Sequence, residues 1–145
     1  MKKLFSILLF SVLPFLVFSQ TQKDYEQVMG EEIKFYNNKQ VDSLNTLGPF
    51  DFLWDSKSLN FCLNDFGHIK SFKFMEIDLT NLDSRKKPYA YFAAVSEKYF
   101  WGSKTNALGI SIDSNNKLSG IRFLYKSEHT DSMLKKYHFD NENED

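Results

Sequence analysis

A single cysteine, Cys62, means that this chain cannot close an internal disulfide. A domain of such length has to hold together by core packing. The neighbours Leu59, Phe61 and Leu63 argue that the thiol itself is buried and inert, since a reactive thiolate needs an open, electropositive setting. Its pairing with His68 as a nucleophile is disfavoured on the same ground. Arginine is nearly as scarce, with only Arg85 and Arg122. Bidentate recognition of phosphate or carboxylate is thus poorly supplied. The three histidines, His68, His129 and His138, form no i, i+4 pair and no HExxH, so no metal site is expected. Glycine-rich phosphate loops and the GxSxG elbow are absent, and no cofactor is expected. Asp113-Ser114-Asn115-Asn116-Lys117 starts like a calcium loop. It then fails, with lysine at the fifth position and no glycine at the sixth, and reads as a hairpin turn. No catalytic residue is assigned.

Long apolar runs are missing too, apart from Leu4 to Phe18. That run is shorter than the roughly 20 residues a spanning helix needs, and it contains Pro14. Lys2 and Lys3 precede it, and the polar segment Ser19-Gln20-Thr21-Gln22 follows. Residues 1–19 therefore read as a signal peptide, with Val17 and Ser19 at the cleavage site and Gln20 as the new N-terminus. An uncleaved anchor is the competing reading. The expectation is an exported protein, periplasmic or secreted, that meets the membrane only through its signal. The sole cysteine is far from the cleavage site, which excludes lipid attachment there.

The chain has 18 basic and 19 acidic residues; loss of Lys2 and Lys3 takes the basic count to 16 and the formal charge to −3. A weakly acidic surface with no basic cluster argues against a nucleic-acid partner. Arg85-Lys86-Lys87 is too small a cluster to act alone and reads as a solvated loop. No internal repeat and no Pro/Gly/Ser-rich linker occur. Residues 20–127 are expected to form one domain, followed by a polar, partly disordered tail over 128–145.

What is plentiful is aromatic: 15 phenylalanines and 7 tyrosines. They suit a sheet-built core. The first half of the mature chain reads as helical. Tyr25, Val28, Met29, Ile33 and Tyr36 recur at spacings of three and four, predicting a helix from about Lys23 to Asn38, capped by Thr21 or Asp24. Val41, Leu44 and Leu47 predict a short second helix stopped by Gly48-Pro49. Phe50, Phe52, Leu53 and Trp54 read as an apolar knot. Leu59, Cys62, Leu63 and Phe66 predict a third helix over Ser56 to Phe66, with Gly67 after its end.

From Ile69 the period becomes two. Strands are predicted over Lys70 to Leu79 and over Tyr89 to Ser96, the latter continuing through Tyr99 and Phe100 across a bulge. Leu108, Ile110 and Ile112, then a turn at 114–117, then Ile121, Phe123 and Tyr125 make a hairpin. Antiparallel strands with one polar face imply a sheet covered on one side. The fold class is α+β, with N-terminal helices packed on one face of a curved, roughly four-stranded antiparallel sheet. Met133, Leu134 and Tyr137 suggest one more short helical turn in the tail.

Three stretches carry a resemblance: Phe35-Tyr36-Asn37-Asn38-Lys39 with Val41-Asp42-Ser43-Leu44; Phe66-Gly67-His68-Ile69-Lys70-Ser71-Phe72; and Ile110-Ser111-Ile112-Asp113 to Leu118-Ser119-Gly120-Ile121-Arg122-Phe123. They resemble the cystatin-like cone of the nuclear transport factor 2-like superfamily, and small exported bacterial domains of that type. The resemblance implies a cone whose open end takes a ligand, and enzymes of the superfamily place an acid and a base there. No matching pair is assigned in this chain. By pattern, Tyr36, Trp54, Phe92 and Tyr125 are candidates to line the pocket, with Asp51, Asp55 and Arg122 as its polar groups. The functional expectation is an exported, non-catalytic domain that binds a small molecule or another exported protein. The alternatives are a cone-type enzyme of the isomerase or dehydratase kind, and an accessory or inhibitory subunit acting in trans.

Overall fold

The computed structural model describes residues 20–48, 53–100, 103–124 and 128–138. Helix α1 (Gln22–Asn37) starts at a capping box: the Thr21 hydroxyl accepts from the Asp24 N–H, and the Asp24 carboxylate accepts from the Thr21 N–H at 2.7 Å. Helix α2 (Val41–Thr46) follows, then α3 (Ser56–Phe66), which Asp55 caps by accepting from the Ser58 N–H. Gly67 ends α3 at φ 70°, a conformation that favours glycine.

Four strands complete the order: β1 (Ile69–Leu82), β2 (Pro88–Phe100), β3 (Ser103–Ile112) and β4 (Leu118–Phe123). They form one open, curved antiparallel sheet in the order β1-β2-β3-β4, every neighbour joined by a hairpin. Pairing of β2 with β3 is irregular between Val95 and Phe100, near the bulge predicted there.

Strand alternation divides the sheet into two faces. On the inner face Ala90, Phe92, Ala94, Leu108, Ile110, Ile112 and Leu118 pack against Tyr25, Val28 and Met29 of α1. The apolar stripe of α1 thus faces the sheet. Phe92 is fully buried between Phe72 and Phe74, with both rings edge-on to it at 5.9 and 5.6 Å. The three helices share a smaller core of Tyr36, Leu44, Trp54, Leu59 and Leu63.

The outer face is not left bare. A fourth helix, α4 (Glu128–Lys136), lays Met133 on Met75, Tyr89, Tyr91, Ala93 and Ala107. Lys136 and Tyr137 both donate to the Glu76 carboxylate at 2.9 Å. The expectation of a one-sided sheet is corrected here. Few apolar residues in α4 suffice because Tyr89 and Tyr91 of β2, stacked at 6.2 Å, already belong to the cluster on that face. Cys62 is half-buried, and burial raises its pKa. Leu53, expected in an apolar knot, is exposed; Phe50 and Phe52 lie outside the described residues.

Candidate functional site

Between α1 and the inner face lies a cavity of about 40 Å³ that opens to solvent. Met29, Glu32, Ile33 and Tyr36 of α1 form one wall. Trp54, Phe66 and Ile69 form a second, and Leu108, Ile110 and Ile121 of β3 and β4 form the floor. One water needs about 10–15 Å³ on this scale, so the enclosed space takes one compact group of about three or four heavy atoms.

The walls are held by paired amide clamps. The Asn45 side chain donates to the Trp54 carbonyl at 2.9 Å and accepts from the Trp54 N–H at 2.8 Å. Asn37 treats Ile69 in the same way, at 2.8 and 2.9 Å. The Tyr36 hydroxyl donates to the Gly67 carbonyl at 3.1 Å. These bonds satisfy backbone groups in the 53–55 connection, at the end of α3 and at the start of β1, and fix the lining residues in place.

Glu32 is the charged residue type in this lining. It is only 8% exposed, and its Oε2 has no hydrogen-bond partner. Burial alone pushes its pKa up to about 8, so the carboxyl is mostly neutral at pH 7. A buried acid with an unmet oxygen in an apolar cleft costs stability, and such groups concentrate at functional sites. Tyr36 is raised as well, first by burial and then by the nearby Cys62 and Asp65.

Two of the seven residues picked from the sequence line this cavity, Tyr36 and Trp54. Phe92 sits beneath it in the packed core. Asp55 is exposed and caps α3. Arg122 lies on the opposite face, its guanidinium 4.7 Å from the centre of the Tyr89 ring. Asp51 and Tyr125 lie outside the described residues. The residue that sequence reasoning passed over is Glu32. Its signal was positional: Val28, Glu32 and Tyr36 are four apart, which puts the acid on the buried stripe of α1.

Among the described residues, no three histidine, cysteine or acidic side chains are grouped so as to hold a metal ion, and no helix is long and apolar enough to cross a membrane. No family model matches the chain, and neither curated proteins nor solved structures include a detectable relative.

Proposed function

We propose that this is an exported, non-catalytic binding domain that captures a small molecule at the cavity under Glu32. The observation that carries the reading is a solvent-open apolar cleft holding one buried, unpartnered carboxyl. The signal-like N-terminus supports export, and the element order of helices followed by a curved sheet supports the cone resemblance. Filling the cavity provides the test. Small amphiphilic molecules screened by NMR should shift the methyl signals of Met29, Ile33 and Ile110. Ile121→Trp should weaken that binding at least tenfold while circular dichroism stays native. Shifts that cluster elsewhere, or that survive Ile121→Trp, would refute the assignment.

One observation favours a second reading, a cone-type isomerase or dehydratase. A carboxyl titrating near neutrality in an apolar cleft is suited to general acid–base work. Turnover of a substrate that is lost on Glu32→Gln would move the protein into that class.

A further inference from the structure

We infer that the cavity receives a methylated ammonium head group, with the Glu32 carboxylate as its counter-ion and the Tyr36, Trp54 and Phe66 side chains around it. This rests on the small-molecule reading above and names the chemistry of the ligand. Four features of the cleft lead to it.

The first is charge. Glu32 is buried, and no lysine or arginine is found among the lining residues. Arg122 stands over Tyr89 on the far side of the sheet, and Arg85 reaches toward Ser119 at the β1–β2 turn. Among the described residues the lining supplies no positive group to the acid, and an anionic ligand would gain no opposite charge there and would meet like charge once Glu32 ionises. A cation supplies what the lining omits. The mature chain's formal charge of −3, from 16 basic and 19 acidic residues, also draws cations toward the surface.

The second is the aromatic share of the lining. Tyr36, Trp54 and Phe66 contribute three rings to a cleft with one ionisable acid. Aromatic walls with an acid suit quaternary ammonium ions, which are attracted to ring quadrupoles and only weakly hydrated.

The third is the small number of acceptors. A primary ammonium brings three N–H donors, each needing a partner once buried. The Tyr36 hydroxyl spends its proton on Gly67 and keeps only its oxygen lone pairs, so the acceptors that the described lining side chains present are that oxygen and the Glu32 carboxylate, too few for three N–H groups in a cleft otherwise apolar. A fully methylated nitrogen needs no acceptor at all, only an opposite charge and contact.

The fourth is size. About 40 Å³ takes about three or four heavy atoms, enough for a nitrogen and most of its methyl groups, with the last carbon of the ion at the open mouth and the remainder of the ligand outside it.

Proton linkage makes the idea testable. The other titratable group in the lining, Tyr36 of α1, stays neutral because burial raises its pKa further. Cys62 of α3, which lies near Tyr36, is raised in the same direction. No titratable side chain of β1, β3 or β4 is among the lining residues. Glu32 is therefore the group whose ionisation governs binding, and the cation must expel its proton.

The probes are tetramethylammonium chloride and tert-butanol, which is uncharged and similar in shape, each titrated by NMR into the whole protein. Tetramethylammonium should shift Met29, Ile33 and Ile110, with affinity rising about tenfold from pH 7 to pH 9, as follows from an acid titrating near 8. Glu32→Gln, which preserves shape and fold, should remove both the pH dependence and the preference over tert-butanol. Equal or tighter binding of tert-butanol, with no pH dependence, would overturn the cation while leaving a small-molecule site standing. Failure of both probes to shift those methyls, at concentrations where the fold is intact, would overturn the cation proposal. If the wider amphiphile screen were then also blank, the binding reading would fall with it.

Discussion

Two carboxyl groups are buried on opposite sides of the same sheet, and they have opposite fates. Asp83, 7% exposed, sits at the β1–β2 turn. It accepts from the Ser111 hydroxyl at 2.7 Å and from the N–H groups of Arg85 and Lys87 at 2.9 and 2.8 Å. Burial pulls its pKa upward, but bonds from Ser119, Lys87, Ser111 and Arg85 outweigh that and hold it below the usual carboxylate value. Glu32, 8% exposed, has an oxygen with no partner and titrates near 8. Similar burial thus yields a structural acid in one place and an unsatisfied one in the other. The difference lies in how many donors converge, and an acid left unsatisfied on a cavity wall is available to something from outside.

The largest expected effect is the pH dependence of stability. The folded-state pKa of Glu32 lies above the ordinary value of 4.5, so the folded state holds a proton that the unfolded state releases. Its stabilising contribution is complete below pH 4.5 and is lost as pH rises toward about 8, by up to about 1.4 kcal/mol per pH unit. Asp83 works in the other direction. Its depressed pKa gives stability above 3.8 that disappears as pH falls below that. Urea unfolding across this range should show a decline above pH 5 that Glu32→Gln flattens. A decline unchanged in the variant would mean that Glu32 is not the group responsible.

Next in size is Asp83→Ala, expected to lose about 3 kcal/mol at pH 7, because the Arg85 and Lys87 N–H groups and the Ser111 hydroxyl lose their acceptor. A loss below about 1 kcal/mol would erase the contrast between the two acids. The smallest effect has the reverse sign. Glu32→Met replaces the acid by an apolar side chain of similar shape and should stabilise the fold by about 1 kcal/mol in thermal unfolding at pH 4, where the carboxyl is mostly neutral in both states and proton linkage adds little. Destabilisation instead would show that Glu32 is tied into the structure after all.

Much of the scaffold was legible in the sequence. Gly67 after Phe66 marks the end of α3, because caps are local chemistry, whereas Asp55, which caps its start, was assigned to the pocket instead. The period-two pattern of 108–112 and 118–123 fixes the last hairpin and assigns its inner face. The cavity was less legible, for physical reasons that differ by residue. Glu32 looks like surface because acids are seldom buried; only the fourfold spacing with Val28 and Tyr36 reveals it. Arg122 alternates with Ile121, which sends it to the outer face, and its polarity alone made it a pocket candidate. Phe92 has the chemistry of a pocket wall, but its phenylalanine neighbours on β1 enclose it. The helical turn at Met133, Leu134 and Tyr137 was visible, but its docking on the outer face was not, because that depends on tyrosines some 40 residues earlier.

The Leu118 N–H donates to the Leu47 carbonyl at 2.8 Å, joining residues 71 apart, and a Cβ at Gly48 would run into the Leu118 backbone. The seam therefore cannot close until the ribosome has made almost the whole domain. The early helices complete their core only when the last strand arrives, since Leu118 of β4 belongs to the same cluster as Tyr25, Val28 and Met29. Closure across so long a stretch of chain places this seam among the slower steps of folding.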